Sequence, residues 1–86
     1  MVIILFSRSS GREFIVEVTP SLGGDRIRLL VQRELLDGEL GAQASETERR
    51  FYIKKHEADI QQVGDAFARG TTTIRMPFNK IARFDD

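Results

Sequence analysis

The densest chemistry in this chain lies in Arg49-Arg50-Phe51-Tyr52-Ile53-Lys54-Lys55-His56, where four cations and two aromatic residues fall within eight positions. Such interleaving suits nucleic acid, because Arg and Lys neutralise phosphates while an aromatic ring stacks on an unpaired base. Arg69, Arg75, Lys80 and Arg83 form a second cationic stretch with no acid before Asp85. On this reading Arg49, Arg50, Tyr52, Lys54, Lys55 and Arg75 make up the contact set. The opposing reading is a solvated helix face. Glu46 precedes Arg50 by one helical turn and Lys55 precedes Asp59 likewise, and exposed pairs at that spacing contribute only about 0.3–0.5 kcal/mol each. No RNP aromatic motif, zinc-finger spacing or helix-turn-helix signature strengthens the nucleic-acid reading.

Catalysis needs a nucleophile, a base and an orienting group within hydrogen-bond reach. His56 is the only histidine. Ser7, Ser9 and Ser10 sit in turn context without a nucleophile-elbow pattern, and no spacing ties them to His56. His56 reads better as a residue at the margin of the core, presenting its polar tip to water. A metal site has less support, because one His, no Cys and the terminal pair Asp85-Asp86 offer no ligand spacing. Gly23-Gly24 ahead of an apolar stretch invites a phosphate cradle, but the spacing fits neither a Walker loop nor a dinucleotide fingerprint. Asp25 would also put negative charge where the phosphate sits. A flexible turn feeding an Asp-capped helix is the simpler account.

These residues have to be positioned by few elements, since the chain has 86 residues, enough for a single domain covering 1–86. A domain of this size hides only about 60% of the surface its unfolded chain exposes, so a partner subunit would help stabilise it. The 13 basic and 13 acidic side chains cancel, which removes the overall positive field of a dedicated nucleic-acid or membrane-surface binder. Val2-Ile3-Ile4-Leu5-Phe6 is too short for a membrane span or a typical signal core. With no cysteine, the expectation is an intracellular, cytoplasmic protein that uses no cofactor and does not contact a membrane.

Residues 2–7 are β-branched and aromatic, Ser9-Ser10-Gly11-Arg12 supplies turn chemistry, and residues 13–19 alternate, which together predict a β-hairpin. Phe14, Val16 and Val18 share one face of the second strand, with Ile15 and Glu17 on the other. Ile27, Leu30, Val31 and Leu35 then recur at helical spacing, predicting a helix from about Arg26 that Asp25 caps and Asp37-Gly38 ends. Ser45 with Glu48 has the capping-box pattern for a second helix. Ile53, Ile60 and Phe67 recur at seven-residue intervals, so one long helix over residues 46–69 is preferred to a strand at residues 50–54. Gly70 ends that helix. Thr71 to Phe78 reads as a strand with Ile74, Met76 and Phe78 on one face, and Pro77 assigns it to an edge.

The expected architecture is α+β: a small antiparallel sheet, made of the N-terminal hairpin and a C-terminal strand, packed by two helices in the order ββααβ. The alternative order is ββαβαβ. The first strand is apolar on both sides, whereas a solvated face would alternate. Two helices cover one side of such a sheet and nothing remains to cover the other, so Ile3, Leu5 and Ile15, with Ile74, Met76 and Phe78 on the edge strand, are the expected protein interface. The function expected is that of a non-enzymatic interaction or regulatory module whose partner is itself, as a homodimer, or another protein. Nucleic-acid binding is the alternative.

Overall fold

The computed structural model describes residues 1–71 and 73–84. Strands β1 (Val2–Arg8) and β2 (Glu13–Val18) form the expected hairpin, and the chain then adds β3 (Ile27–Val31). Three helices follow, α1 (Arg33–Leu40), α2 (Glu46–Lys55) and α3 (Glu57–Ala68), before a 3-10 turn (Phe78–Lys80) leads into β4 (Ile81–Arg83). The strands lie in the order β1-β2-β3-β4, each pair antiparallel. The protein is thus a small α+β fold, with four strands and three α-helices among the described residues where three strands and two helices were expected.

Turn chemistry closes the hairpin. Ser9, Ser10 and Gly11 all have positive φ, and the Arg8 carbonyl accepts from the amides of Gly11 and Arg12 at 3.1 and 3.2 Å. Phe14, Val16 and Val18 face the core as their alternation implies.

The predicted helix at 26–36 is a correction. Ile27, Leu29 and Val31 turn to the core while Arg28 and Leu30 turn away, which is the period of a strand. The segment satisfies both periodicities, and pairing with β2, from Phe14 opposite Val31 to Val18 opposite Ile27, decides between them. Helix α1 begins only at Arg33 and runs through Gly38 to Leu40, where Gly41 at φ +94° ends it.

The capping box forms as expected. Ser45 Oγ accepts from the Glu48 amide at 3.1 Å, and Glu48 Oε1 accepts from the Ser45 amide at 3.1 Å. Residues 50–54 are helical, so the order with a strand there does not hold. The long helix does not survive intact either, because it breaks at His56, whose backbone leaves helical geometry (φ −103°, ψ 28°). A straight helix over residues 46–69 would run about 36 Å, against about 23 Å for a seven-residue strand. The break lets α3 lie across the sheet while Ile53 and Ile60 both stay buried.

Gly64 lets α3 lie close against the sheet: a Cβ placed there would lie 2.8 Å from Val18 Cβ. Gly70 ends α3 at φ +78°. The strand expected at Thr71 to Phe78 is absent from the described residues, with Thr72 falling outside them. The C-terminal strand is instead Ile81–Arg83, paired to β3 with Ile81 opposite Val31. Ile74 packs against the core from an irregular segment, Phe78 is buried, and Met76 is exposed. No helix among the described residues is long and apolar enough to cross a membrane.

Candidate functional site

The core joins one face of the sheet to all three helices, through Phe14, Val16, Leu29 and Val31 on the strands and Leu36, Ile53, Ile60 and Val63 on the helices. The register places Ile3, Phe6, Ile15, Leu30 and Ala82 on the opposite face. No element packs over that face among the described residues. Its centre nevertheless is not open. Ile15 is fully buried, flanked by its register partners Phe6 and Leu30, which corrects the expectation that it joins an exposed patch. The Arg8 guanidinium lies 5.5 Å from the centroid of the Phe84 ring, covering part of the same face.

Exposed large apolar residues cluster in β1, while Leu22, Phe51 and Met76 are exposed singly on other segments. Ile3, Leu5 and Phe6 are 42, 38 and 46% exposed, and neighbouring Met1 is 70% exposed. A bulge between Ile4 and Phe6 shifts the register, leaving Leu5 without a partner in β2. β1 is also an edge, paired to β2 alone, and the other edge, β4, has three residues. The first outward amide of β1 is occupied: Val2 N–H donates to Glu57 Oε1 at 3.3 Å. Beside it a dimple between β1 and the α2–α3 junction is lined by Val2, Ile4, Ile53, Lys54 and Glu57. Thus Ile3 and Leu5 stand together on this strand, while Ile74, Met76 and Phe78 lie elsewhere.

Ile74 and Phe78 instead help line a groove of about 340 Å³ between α3 and the segment after Gly70. Its acids are held internally. Asp59 Oδ1 accepts from Arg75 Nη2 at 2.9 Å, and Asp59 Oδ2 lies 3.2 Å from His56 Nδ1. Asp65 accepts from the Ser21 amide at 2.8 Å and the Ser21 hydroxyl at 2.7 Å. Those bonds hold the Asp65 carboxyl below the usual carboxylate range, the amide bond contributing most. The His56 ring packs against Tyr52 and Phe78, with centroids 4.3 and 5.7 Å away. Among the described residues no hydroxyl shares a hydrogen bond with His56, and no group of three or more His, Cys, Asp or Glu could hold a metal ion. Asp85 and Asp86 lie outside the described residues.

The cationic segment is taken apart by the fold. Arg49 points inward and is fully buried, the one fully enclosed charge among the described residues. Its Nη2 donates to Asp37 Oδ1 at 2.6 Å and its Nε to the Ala44 carbonyl at 3.0 Å. Tyr52 is buried too and donates to Glu39 Oε1 at 3.2 Å. Burial, with the Glu39 charge next in size, pushes its phenol up to about 12. Arg50 pairs with Glu46 at 3.1 Å and lies 5.2 Å from the Phe14 ring centroid, while Asp59 turns to Arg75 and His56 rather than to Lys55. Phe51, Lys54 and Lys55 remain exposed on α2. Helical phase could have separated them, since Phe51, Lys54 and Lys55 sit at i, i+3 and i+4, away from the stripe of Arg49, Tyr52 and Ile53. No family model, no curated protein and no solved structure matches the chain.

Proposed function

We propose that the protein is a non-enzymatic interaction module that associates with a second copy of itself through the β1 side of the sheet. The observation that carries this reading is the exposure of Ile3, Leu5 and Phe6 on a seven-residue edge strand. A long apolar edge is a template for pairing, and isolated domains normally blunt it with charge, proline or a covering element. Here the bulge, the Glu57 contact at Val2 and Arg8 at the end of the strand are the blunting features among the described residues, and none covers Ile3 to Phe6. Small size argues the same way, because joining two copies adds buried apolar surface that an 86-residue chain lacks by itself. Twofold pairing is the commonest closed arrangement.

Light scattering at micromolar concentration tests it. The expected mass is twice 9.8 kDa, and Phe6→Lys should weaken association about tenfold or more by placing a charge at the contact. A wild-type monomer at every concentration sinks the proposal. An activity that Asp59→Asn abolishes while circular dichroism stays unchanged would make the α3 groove the functional site instead.

A further inference from the structure

We infer that the groove between α3 and the segment after Gly70 binds a small organic acid, with the carboxylate on Arg69 and an aliphatic chain along Val63, Ala66, Ile74 and Phe78. This does not rest on the self-association proposed above, and it involves none of the β1 residues.

The walls of the groove come from the way the chain doubles back. Asp59, Val63, Ala66 and Arg69 recur at helical spacing, which sets them on one face of α3 over about 15 Å of helix rise. At Gly70 the chain turns, with Thr71 N–H donating to the Ala66 carbonyl at 3.0 Å. It then runs back along α3 until Arg75 Nη2 meets Asp59 Oδ1 at 2.9 Å. Between α3 and residues 73–75 lies the groove of about 340 Å³, a volume at the small end of ligand-binding sites. Phe78 lies toward the Asp59 end, since its ring is 5.7 Å from that of His56, and His56 Nδ1 is 3.2 Å from Asp59 Oδ2. Arg69 stands at the other end.

Charge selects the ligand. Both oxygens of Asp59 are engaged, by Arg75 and His56, and both oxygens of Asp65 are engaged, by Ser21 and Gln61. An ammonium ligand would therefore find no open carboxylate. Arg69 differs: it is exposed, and its guanidinium makes no hydrogen bond or ion pair among the described residues, its charge reaching Asp65 only through space. One planar guanidinium matches one carboxylate in fork geometry. A phosphate dianion would bring a second negative charge close to Asp65, and the other cation lining the groove, Arg75, already serves Asp59. Because Arg69 is at the surface, the bound carboxylate keeps water on its outer side, which limits its desolvation cost. From there the groove offers Ala66, Val63, Ile74 and Phe78, so the rest of the ligand is apolar.

Titrating nitrogen-15-labelled protein with hexanoate tests the site by NMR. Amide shifts should be confined to α3 and residues 73–78, with a dissociation constant of about a millimolar for a ligand of this size. Arg69→Gln, a change at an exposed position, should weaken hexanoate about tenfold, and Arg69→Lys should retain more of the affinity because it keeps the charge. Affinity should rise about twofold per methylene from butanoate to octanoate, less than full burial would give because the groove is open to water on one side. Hexylammonium should not bind. Equal affinity of Arg69→Gln, or of hexylammonium, overturns the assignment of a carboxylate to Arg69. Shifts centred on residues 2–6 would show hexanoate coating the apolar strand instead, and they overturn the site, as does the absence of any shift when hexanoate is raised well above millimolar.

Discussion

The guanidinium of Arg49 reaches from α2 to the carboxylate of Asp37 on α1, with Nη2 and Oδ1 2.6 Å apart, and it does so from a fully buried position. The same side chain donates to the carbonyls of Ala42 and Arg12 at 3.3 and 3.4 Å. One cation thereby satisfies the loop between the two helices. Arg12 adds a second bond to the Ala42 carbonyl at 2.7 Å, tying the hairpin turn to that loop.

Replacing Arg49 with Ala removes these donors and leaves several carbonyls to find water. The expected loss is about 2–4 kcal/mol of unfolding free energy by chemical denaturation. Arg49→Lys should recover little of it, because a single ammonium cannot reproduce the planar fork. A loss below half a kcal/mol for Arg49→Ala would mean that the loop is held by other contacts.

The capping box makes a smaller prediction. Ser45→Ala deletes the acceptor for the Glu48 amide and should cost about 1 kcal/mol, with Ser45→Gly costing less. The bond from the Ser45 amide is the main cause that holds the Glu48 carboxyl below its usual range, with the Ser45 hydroxyl second.

Gly64→Ala should be destabilising although alanine is the better helix former, because the added methyl meets the side chain of Val18. Helix propensity alone predicts a gain of about 1 kcal/mol. Thermal melting gives the sign, and pairing the change with Val18→Ala should reverse part of the loss, since the two residues share one contact.

Stability should fall at both extremes of pH. Asp37 is lowered, chiefly by its hydrogen bond from Arg49, and Asp65 is lowered by the Ser21 amide. A carboxylate with a depressed folded value contributes stability that is present above the unfolded value, about 4, and lost as pH falls toward the folded one. Tyr52 works in the other direction. Its raised value means that the folded state favours the neutral phenol, so stability holds below pH 10.0 and is lost as pH rises toward about 12. Melting temperature measured from pH 2 to 11 checks this, and Tyr52→Phe should flatten the alkaline limb.

Nucleic acid should not be retarded. With Arg49 and Tyr52 buried, Arg50 paired to Glu46 and Arg75 to Asp59, Lys54 and Lys55 are what remains of that contact set, too few to release the counterions that firm binding requires. Gel retardation with DNA and RNA at low salt checks this, and a salt-sensitive shift abolished by changing both lysines to Ser would restore that reading.

What the sequence determined by itself were features set by neighbours close along the chain. The hairpin follows from its turn residues and alternation, the start of α2 from Ser45 and Glu48, and the end of α3 from Gly70. The apolar character of β1 on both sides was equally plain, because it needs only the residue types. Tertiary structure decided the rest. Ile27 to Val31 fits a helix or a strand, and the ladders offered by β2 on one side and β4 on the other, both outside the segment itself, make it a strand. The break at His56 depends on the size of the sheet the helices cover, which no local pattern encodes. Whether a charge faces water or the core also depends on distant groups: Arg49 turns inward because Asp37 and the Ala44 carbonyl receive it there. Ile15 is sealed by Phe6 and Leu30 beside it, so the apolar patch expected on the outer face shrinks toward β1, and it is the pairing order of the sheet that makes β1 an edge.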